Sequence, residues 1–280
     1  MGNGEPVAGS GTAGPGSSAA ADWDPATYLR FGGERARPFL DLLARVGAVA
    51  PSVVVDLGCG EGELTASLAR RWPGARITGV DSSATMLAAA AAAHAVPGQV
   101  GFTAGDVRTW EADDPVDVLV SNAVLHWVTG HDELLSRWAA RLAPDGWLAL
   151  QVPGNFRAPT HVLLAELCRS VEWADRLAGA APRPDTVLEP AGYLDVLAAG
   201  GLVADVWETT YLHVLTGPDP VLGWVRSTQL RPVLARLDDA GAARFTEQYA
   251  AALREAYPVR ADGTTVLPFR RIFAVGTRPA

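Results

Sequence analysis

The segment VVVDLGCGEGELT, residues 53–65, constrains what this chain can fold into more than any other stretch. Val53, Val54 and Val55 are consecutive β-branched residues, the pattern of a short parallel strand buried on both faces. Asp56 ends the run. Gly58, Gly60 and Gly62 then occupy alternate positions, where glycine permits positive φ and close approach of the backbone to a ligand. The spacing of Leu64, Leu68 and Trp72 predicts a helix over residues 63–71. A strand, a glycine turn and a helix in that order make a cradle at the C-terminal edge of an open α/β sheet.

The charges around the turn narrow the ligand. A dinucleotide fingerprint, G-x-G-x-x-G, needs glycine where Glu63 stands and offers a helix N-terminus to a pyrophosphate. Glu61, Glu63 and Asp56 would repel phosphate and suit a cationic cofactor. S-adenosylmethionine carries an ammonium and a sulfonium and no phosphate. Downstream, ARITGV (75–80) predicts a strand ending at Asp81, placed to accept from two ribose hydroxyls. Asp81, Ser82 and Ser83 are also good capping chemistry for the helix that follows, which contains Met86. VGFTAG (100–105) ends at Asp106, a carboxylate suited to an adenine amino group, with Val107 next to it; VDVLVSN (116–122) ends at Asn122. Four successive strands thus carry a polar residue at their C-terminal ends.

Period and punctuation organise the rest. Phe39, Leu42, Leu43 and Val46 share one face of a helix predicted over 34–46. A helix over 132–142 stops at Pro144, Asp145 and Gly146, and WLALQV (147–152) is the fifth strand. A helix from about Thr160, a short one near Tyr193, a sixth strand in LVADVWETTY and a last strand in RRIFAVGTR follow. Residues 216–268 are too long for a hairpin; WVRSTQLRPVLARL and ARFTEQYAAALREAY read as two amphipathic helices forming a cap over the substrate site. Residues 1–21, rich in Gly, Ala and Ser, read as a disordered tail rather than a signal peptide.

Composition closes other doors. All 23 basic residues are arginine, which excludes a P-loop lysine, a kinase ATP lysine and a pyridoxal Schiff base. The net charge of −8 argues against nonspecific nucleic-acid binding. Cys59 and Cys168 suggest neither a disulfide framework nor a metal site, and no apolar run is long enough for a membrane span, which together fit a reducing cytoplasm.

DLGCGEG (56–62), GVDSS (79–83), AGDVRTW (104–110) and SNAVLHW (121–127) resemble the class I S-adenosylmethionine-dependent methyltransferases. More narrowly, WDPATYLRFGGERARPFLDLL (23–43), VPGNFRAPTHVLL, WETTYLHVL, WVRSTQLRPVLARL and LPFRRIFAV resemble the trans-aconitate methyltransferases; Cys59 and Leu212 vary the motifs. The resemblance implies a Rossmann-like, seven-stranded, mostly parallel α/β sheet with helices on both faces and an antiparallel last strand beside the sixth. It implies methyl-ester formation on a carboxylate of a small polycarboxylic acid, with trans-aconitate as the acceptor. Of Arg35 and Arg37 it favours Arg37 for the cofactor carboxylate.

A carboxylic acid with a pKa near ~4 is ionised at neutral pH, so the reaction needs positioning and no general base. Arginine forks suit the non-reacting carboxylates, and Arg226, Arg231 and Arg271 are the candidates. Tyr28, Tyr193, Tyr211 and Asn155 are candidate hydrogen-bond donors, and His126 is placed to touch acceptor or adenine. Two other readings stay open: an O-methyltransferase of a natural product using His126 as base, with His161 and His213 as further candidates, and a fold that binds the cofactor without transferring a methyl group.

Overall fold

In the computed structural model, which describes Met1 and residues 33–181, 187–226 and 228–280, the valine run becomes a central strand. The strands are β1 (Val53–Leu57), β2 (Arg76–Asp81), β3 (Val100–Ala104), β4 (Val116–Asn122), β5 (Leu142–Pro153), β6 (Val203–Leu215) and β7 (Thr265–Thr277). They lie in the order β3-β2-β1-β4-β5-β7-β6. The first five are parallel, and β7 enters antiparallel between β5 and β6. Strand order reverses between β1 and β4, the switch point at which a doubly wound sheet opens a crevice. Past Met1, the tail expected over residues 1–21 lies outside the described residues, as does Tyr28.

Helices α1 (Gly33–Leu43), α2 (Glu63–Arg71), α3 (Ala84–His94), α4 (His131–Ala139) and, after α5 (Pro159–Arg169), α6 (Pro190–Ala199) surround the sheet, while α5 packs with later helices. Phe39, Leu42 and Leu43 of α1 pack with Val54, Val118, Val120 and Phe273 on one face. Leu134, Leu135 and Trp138 of α4 pack with Leu57, Leu119 and Leu148 on the other. Burying each such side chain contributes about 1.5–3 kcal/mol, so both faces of the central strands are held tightly. No helix among the described residues is long and apolar enough to cross a membrane.

Two boundaries differ from the pattern reading. Leu142 opens β5 rather than closing α4, because it pairs with Val116 across an irregular register; Pro144, Asp145 and Gly146 therefore lie within the strand. The segment 216–268 forms three helices: α7 (Pro220–Arg226), α8 (Arg231–Leu234) and α9 (Asp239–Ala256). Asp238 caps α9 by accepting the Gly241 N–H at 2.7 Å. Val225, Leu230, Phe245 and Tyr249 bury against Leu164 and Cys168 of α5 and against Trp173 and Leu177. The helical layer thus draws on residues 159–181 as well. Gln229 Nε2, at 3.0 Å, and Tyr249 Oη, at 2.6 Å, both donate to the Thr160 carbonyl, tying this layer to the start of α5.

Candidate active site

The glycine turn closes over β2. The N–H groups of Gly58 and Cys59 both donate to the Val80 carbonyl, at 2.7 and 3.0 Å. Gly58, Gly60 and Gly62 have φ of 83°, 55° and 79°. A Cβ on Gly58 would lie 2.1 Å from Val124 Cγ2, and one on Gly62 would lie 2.6 Å from the Phe102 ring. Above Gly60 a Cβ would meet nothing within 4 Å, so there the backbone is open to a ligand.

Acids surround this cradle. Asp81 Oδ2 accepts the Gly60 N–H at 2.9 Å and Oδ1 accepts the Ser83 N–H at 2.8 Å, leaving each oxygen a second lone pair. Asp56 is buried and accepts the Thr65 hydroxyl at 2.6 Å. Burial, and more weakly the nearby Asp81 charge, push its carboxyl up to about 6 against the opposing Thr65 bond. Burial and the same two acids push the Cys59 thiol up to about 12, so it is no nucleophile at neutral pH. Asp106 is half-buried and held bidentately by Arg108, whose Nε lies 2.9 and 3.0 Å from its two oxygens. That partner draws its carboxyl down to about 2 and shares the lone pairs expected for adenine. Ser82 is exposed, Ser83 caps α3 by accepting the Met86 N–H at 3.3 Å, Met86 is 39% exposed, and Val107 packs against the core.

Near the C-terminal ends of β4 and β5, beside the middle of β7, a second set of polar groups gathers. Asn122 is in register with Gln151, and Pro153 with Arg271. Ala123 turns the chain at φ 58°, a left-handed conformation that costs a non-glycine residue about 1–2 kcal/mol, and its N–H donates to the Gln151 carbonyl at 2.9 Å. Arg271 Nη1 donates to Gln151 Oε1 at 3.3 Å, and its guanidinium sits 4.6 Å from the Phe269 ring centre. Asn122 Oδ1, His126 Nδ1 and Gln151 Nε2 are buried with no hydrogen-bond partner among the described residues. Such groups are costly to leave unmet, and the register of β4 with β5 sets two of them, on Asn122 and Gln151, on neighbouring strands.

His126 follows in the 3₁₀ turn Leu125–Trp127, 4.6 Å from the Trp127 ring and 6.2 Å from Phe156. Burial, then the Arg271 cation, lowers its pKa to about 3, so the ring is neutral at physiological pH. His161 is likewise pushed down to about 4 by burial.

The structure does not gather every expected residue here. Tyr193 is fully buried in the core, its hydroxyl 2.8 Å from His131 Nε2, so its hydrogen bond is spent inside the protein. Tyr211 is 4% exposed and donates to Asp41 Oδ2 at 2.6 Å, with the Arg37 guanidinium 5.0 Å from its ring. The hydroxyls of both tyrosines are engaged by tertiary partners 62 and 170 residues away. Arg37 itself is exposed; burial, then the Asp41 bond and charge, raise the Tyr211 pKa above its ordinary value, and the Arg37 and Arg271 cations oppose this only in part. Arg226 and Arg231 are exposed, since Val225, Leu230 and Val233 take the buried faces of their segment. Asn155 is buried in the turn after β5, where its carbonyl accepts from the Ala158 N–H at 2.9 Å and from His161. His213 is buried on β6 and stacks on Trp224 at 4.5 Å. Gln151, Thr65 and Asp41 are the residues the sequence reading missed. A glutamine inside the apolar strand WLALQV was the available signal for the first.

A strand-end row of acids, an open glycine cradle without room for side chains below it, and an unmet acceptor on Asn122 fit a nucleoside with a cationic tail. Fold and site together define an S-adenosylmethionine-dependent methyltransferase. The methyltransferase domain family profile matches residues 54–146. Proteins named trans-aconitate 2-methyltransferase are 55% identical in Streptomyces coelicolor (93% of this chain, 88% of that one) and 48% in Mycobacterium tuberculosis (90% and 95%). The chain belongs to the trans-aconitate 2-methyltransferase family. Among solved structures, the YcgJ protein of Bacillus subtilis shares the fold at a TM-score of 0.57 and 15% identity, covering 86% of this chain and 97% of that one. Haemonchus contortus phosphoethanolamine N-methyltransferase 2, in complex with S-adenosyl-L-methionine, does so at 0.50 and 17%, covering 87% and 53%.

The buried Asp56 gives a pH prediction. Its folded pKa, about 6, lies above the ordinary 3.8, so the fold favours the protonated form. Stability from this group is full below pH 4 and is lost as pH rises through 6. A cationic cofactor favours the ionised form, so its affinity should weaken by up to about tenfold per unit below pH 6. Asp56→Asn should flatten that dependence and stabilise the ligand-free protein near pH 7.5 by about 1–3 kcal/mol. Titrating cofactor from pH 5 to 8, with melting curves alongside, checks both.

Proposed function

We propose that the chain transfers a methyl group from S-adenosylmethionine to a carboxylate of trans-aconitate, forming a methyl ester. The observation that carries this reading is a half-buried His126, its Nδ1 enclosed without a partner among the described residues, kept neutral by that enclosure and by the Arg271 cation. A site with a fixed cation and a neutral donor suits an acceptor that is already ionised. The names of the relatives supply the particular acid.

When bound, the cofactor supplies an electrophilic methyl group on its sulfonium. In this reading Asp81 takes the ribose hydroxyls, Asp106 faces the adenine amino group, Asn122 Oδ1 accepts from the ammonium and Arg37 meets the cofactor carboxylate. Arg271 holds a carboxylate of the acceptor that does not react. His126 donates a single neutral hydrogen bond to the reacting one, enough to orient it without quenching its charge. The helices over 216–268, with α5, cover the acceptor side and exclude water, which strengthens these contacts. A cytoplasmic setting keeps Cys59 and Cys168 as the free thiols they are.

Proton balance tests the reaction type. Methylating a carboxylate releases no proton, whereas methylating a hydroxyl releases one per turnover. In weakly buffered solution at pH 6.5, S-adenosylhomocysteine should form with no matching acidification, and His126→Gln should slow turnover by about 10-fold without changing that balance. One proton per product would overturn carboxylate chemistry and favour a hydroxyl acceptor with His126 as base.

A further inference from the structure

Gln151 lies in β5 with no surface exposure, directly in register with Asn122. Its amide orientation follows from chemistry. A guanidinium only donates, so the atom facing Arg271 at 3.3 Å is the oxygen, and the NH₂ group points elsewhere. That Nε2 has no partner among the described residues. Neighbouring strands therefore present an unmet acceptor, Asn122 Oδ1, and an unmet donor, Gln151 Nε2, that do not bond to each other. An acceptor calls for an ammonium or N–H; a donor calls for an anion. Sorted this way, the boundary between cofactor and acceptor runs between β4 and β5, and the Ala123 N–H bond to the Gln151 carbonyl holds the two strand ends together there.

We infer that Gln151 is a specificity-determining residue of the acceptor site, donating from Nε2 to a carboxylate that Arg271 also holds. The inference rests on the proposed polycarboxylate acceptor. Gln151 and Arg271 form one clamp, with a neutral and a cationic arm, on one carboxylate. The neighbouring Arg270 has no share in it: its guanidinium is held by Glu189 at 2.6 Å and by Glu208 at 3.0 Å.

The same carboxylate chemistry exists on the cofactor, so the test separates the two sources. Gln151→Glu keeps an oxygen for Arg271 and replaces the donor by an oxygen; Gln151→Leu removes the polar group at similar volume. Binding of trans-aconitate is measured by calorimetry with S-adenosylhomocysteine saturating, so turnover is not needed. The dissociation constant should rise at least about 30-fold in Gln151→Glu and about 10-fold in Gln151→Leu. S-adenosylhomocysteine affinity and the melting transition should stay near wild type, which also shows that the variants fold. If Gln151→Glu does not fold, Gln151→Leu carries the comparison. Unchanged acceptor affinity overturns the inference, and so does a loss confined to S-adenosylhomocysteine, which would put the cofactor carboxylate at Gln151. If wild-type protein fails to bind trans-aconitate while binding S-adenosylhomocysteine, the polycarboxylate reading itself falls, and the inference with it.

Discussion

Gly58→Ala should abolish cofactor binding at ordinary concentrations and lower the melting temperature by about 5–15 °C. The new Cβ would lie 2.1 and 2.9 Å from the two methyl groups of Val124, whose backbone leads directly into the His126 turn. At φ 83° the side chain adds a left-handed cost of about 1–2 kcal/mol, and overpacking adds about 1–3 kcal/mol. The turn cannot shift to relieve this without stretching the bonds of Gly58 and Cys59 to the Val80 carbonyl, 2.7 and 3.0 Å long. Gly60→Ala is the control, because its Cβ meets nothing within 4 Å of protein. It should cost stability through φ alone, about 1 kcal/mol, while still weakening the cofactor whose backbone approach it blocks. Melting curves and a cofactor titration on both variants decide the matter; wild-type affinity in Gly58→Ala would contradict the cradle.

On the proposed reading, Arg271→Ala should lower kcat/KM for the acceptor by about 10²- to 10³-fold, the cost of removing a partly buried cation from a carboxylate. Cofactor affinity should change less than about threefold. The change removes the hydrogen bond to Gln151 Oε1 and the cation beside Phe269, so two arms of the acceptor clamp loosen together. Arg270→Ala, one residue away, breaks surface pairs with Glu189 and Glu208 and should cost about 1 kcal/mol of stability with little effect on KM. Arg226→Ala and Arg231→Ala, both exposed, should change KM by less than about threefold. Steady-state kinetics of the four variants separates a site arginine from surface charge.

The fold was legible where the signal was local. The valine run, the alternating glycines and the acids at Asp81 and Asp106 sit within a few residues of the geometry they create. Short-range chemistry therefore sets the cradle at the C-terminal edge of the sheet, while the switch point between β1 and β4 emerges only from the strand order. What could not be read depended on partners far along the chain. Tyr211 reads as a candidate hydrogen-bond donor, and its hydroxyl is engaged by Asp41 on α1. Tyr193 reads the same way and is bonded to His131 in the core. Arg226 and Arg231 look like clamps until Val225, Leu230 and Val233 fix which faces of their segment are buried. Gln151 hides inside an apolar strand, where only the register with Asn122 and the reach of Arg271 give it meaning. In the helical layer, α5 contributes a buried face that hydrophobic period alone could not assign to α9 rather than to the sheet.

The most direct test of the central claim is S-adenosylhomocysteine formation with trans-aconitate as sole acceptor, beside cis-aconitate, citrate and an acceptor-free blank, with the product weighed by mass spectrometry. The account predicts turnover that is fastest on trans-aconitate and one methyl ester formed for each S-adenosylhomocysteine. Tight cofactor binding with release no faster than the blank would contradict it, leaving the methyltransferase fold without the acceptor assigned to it.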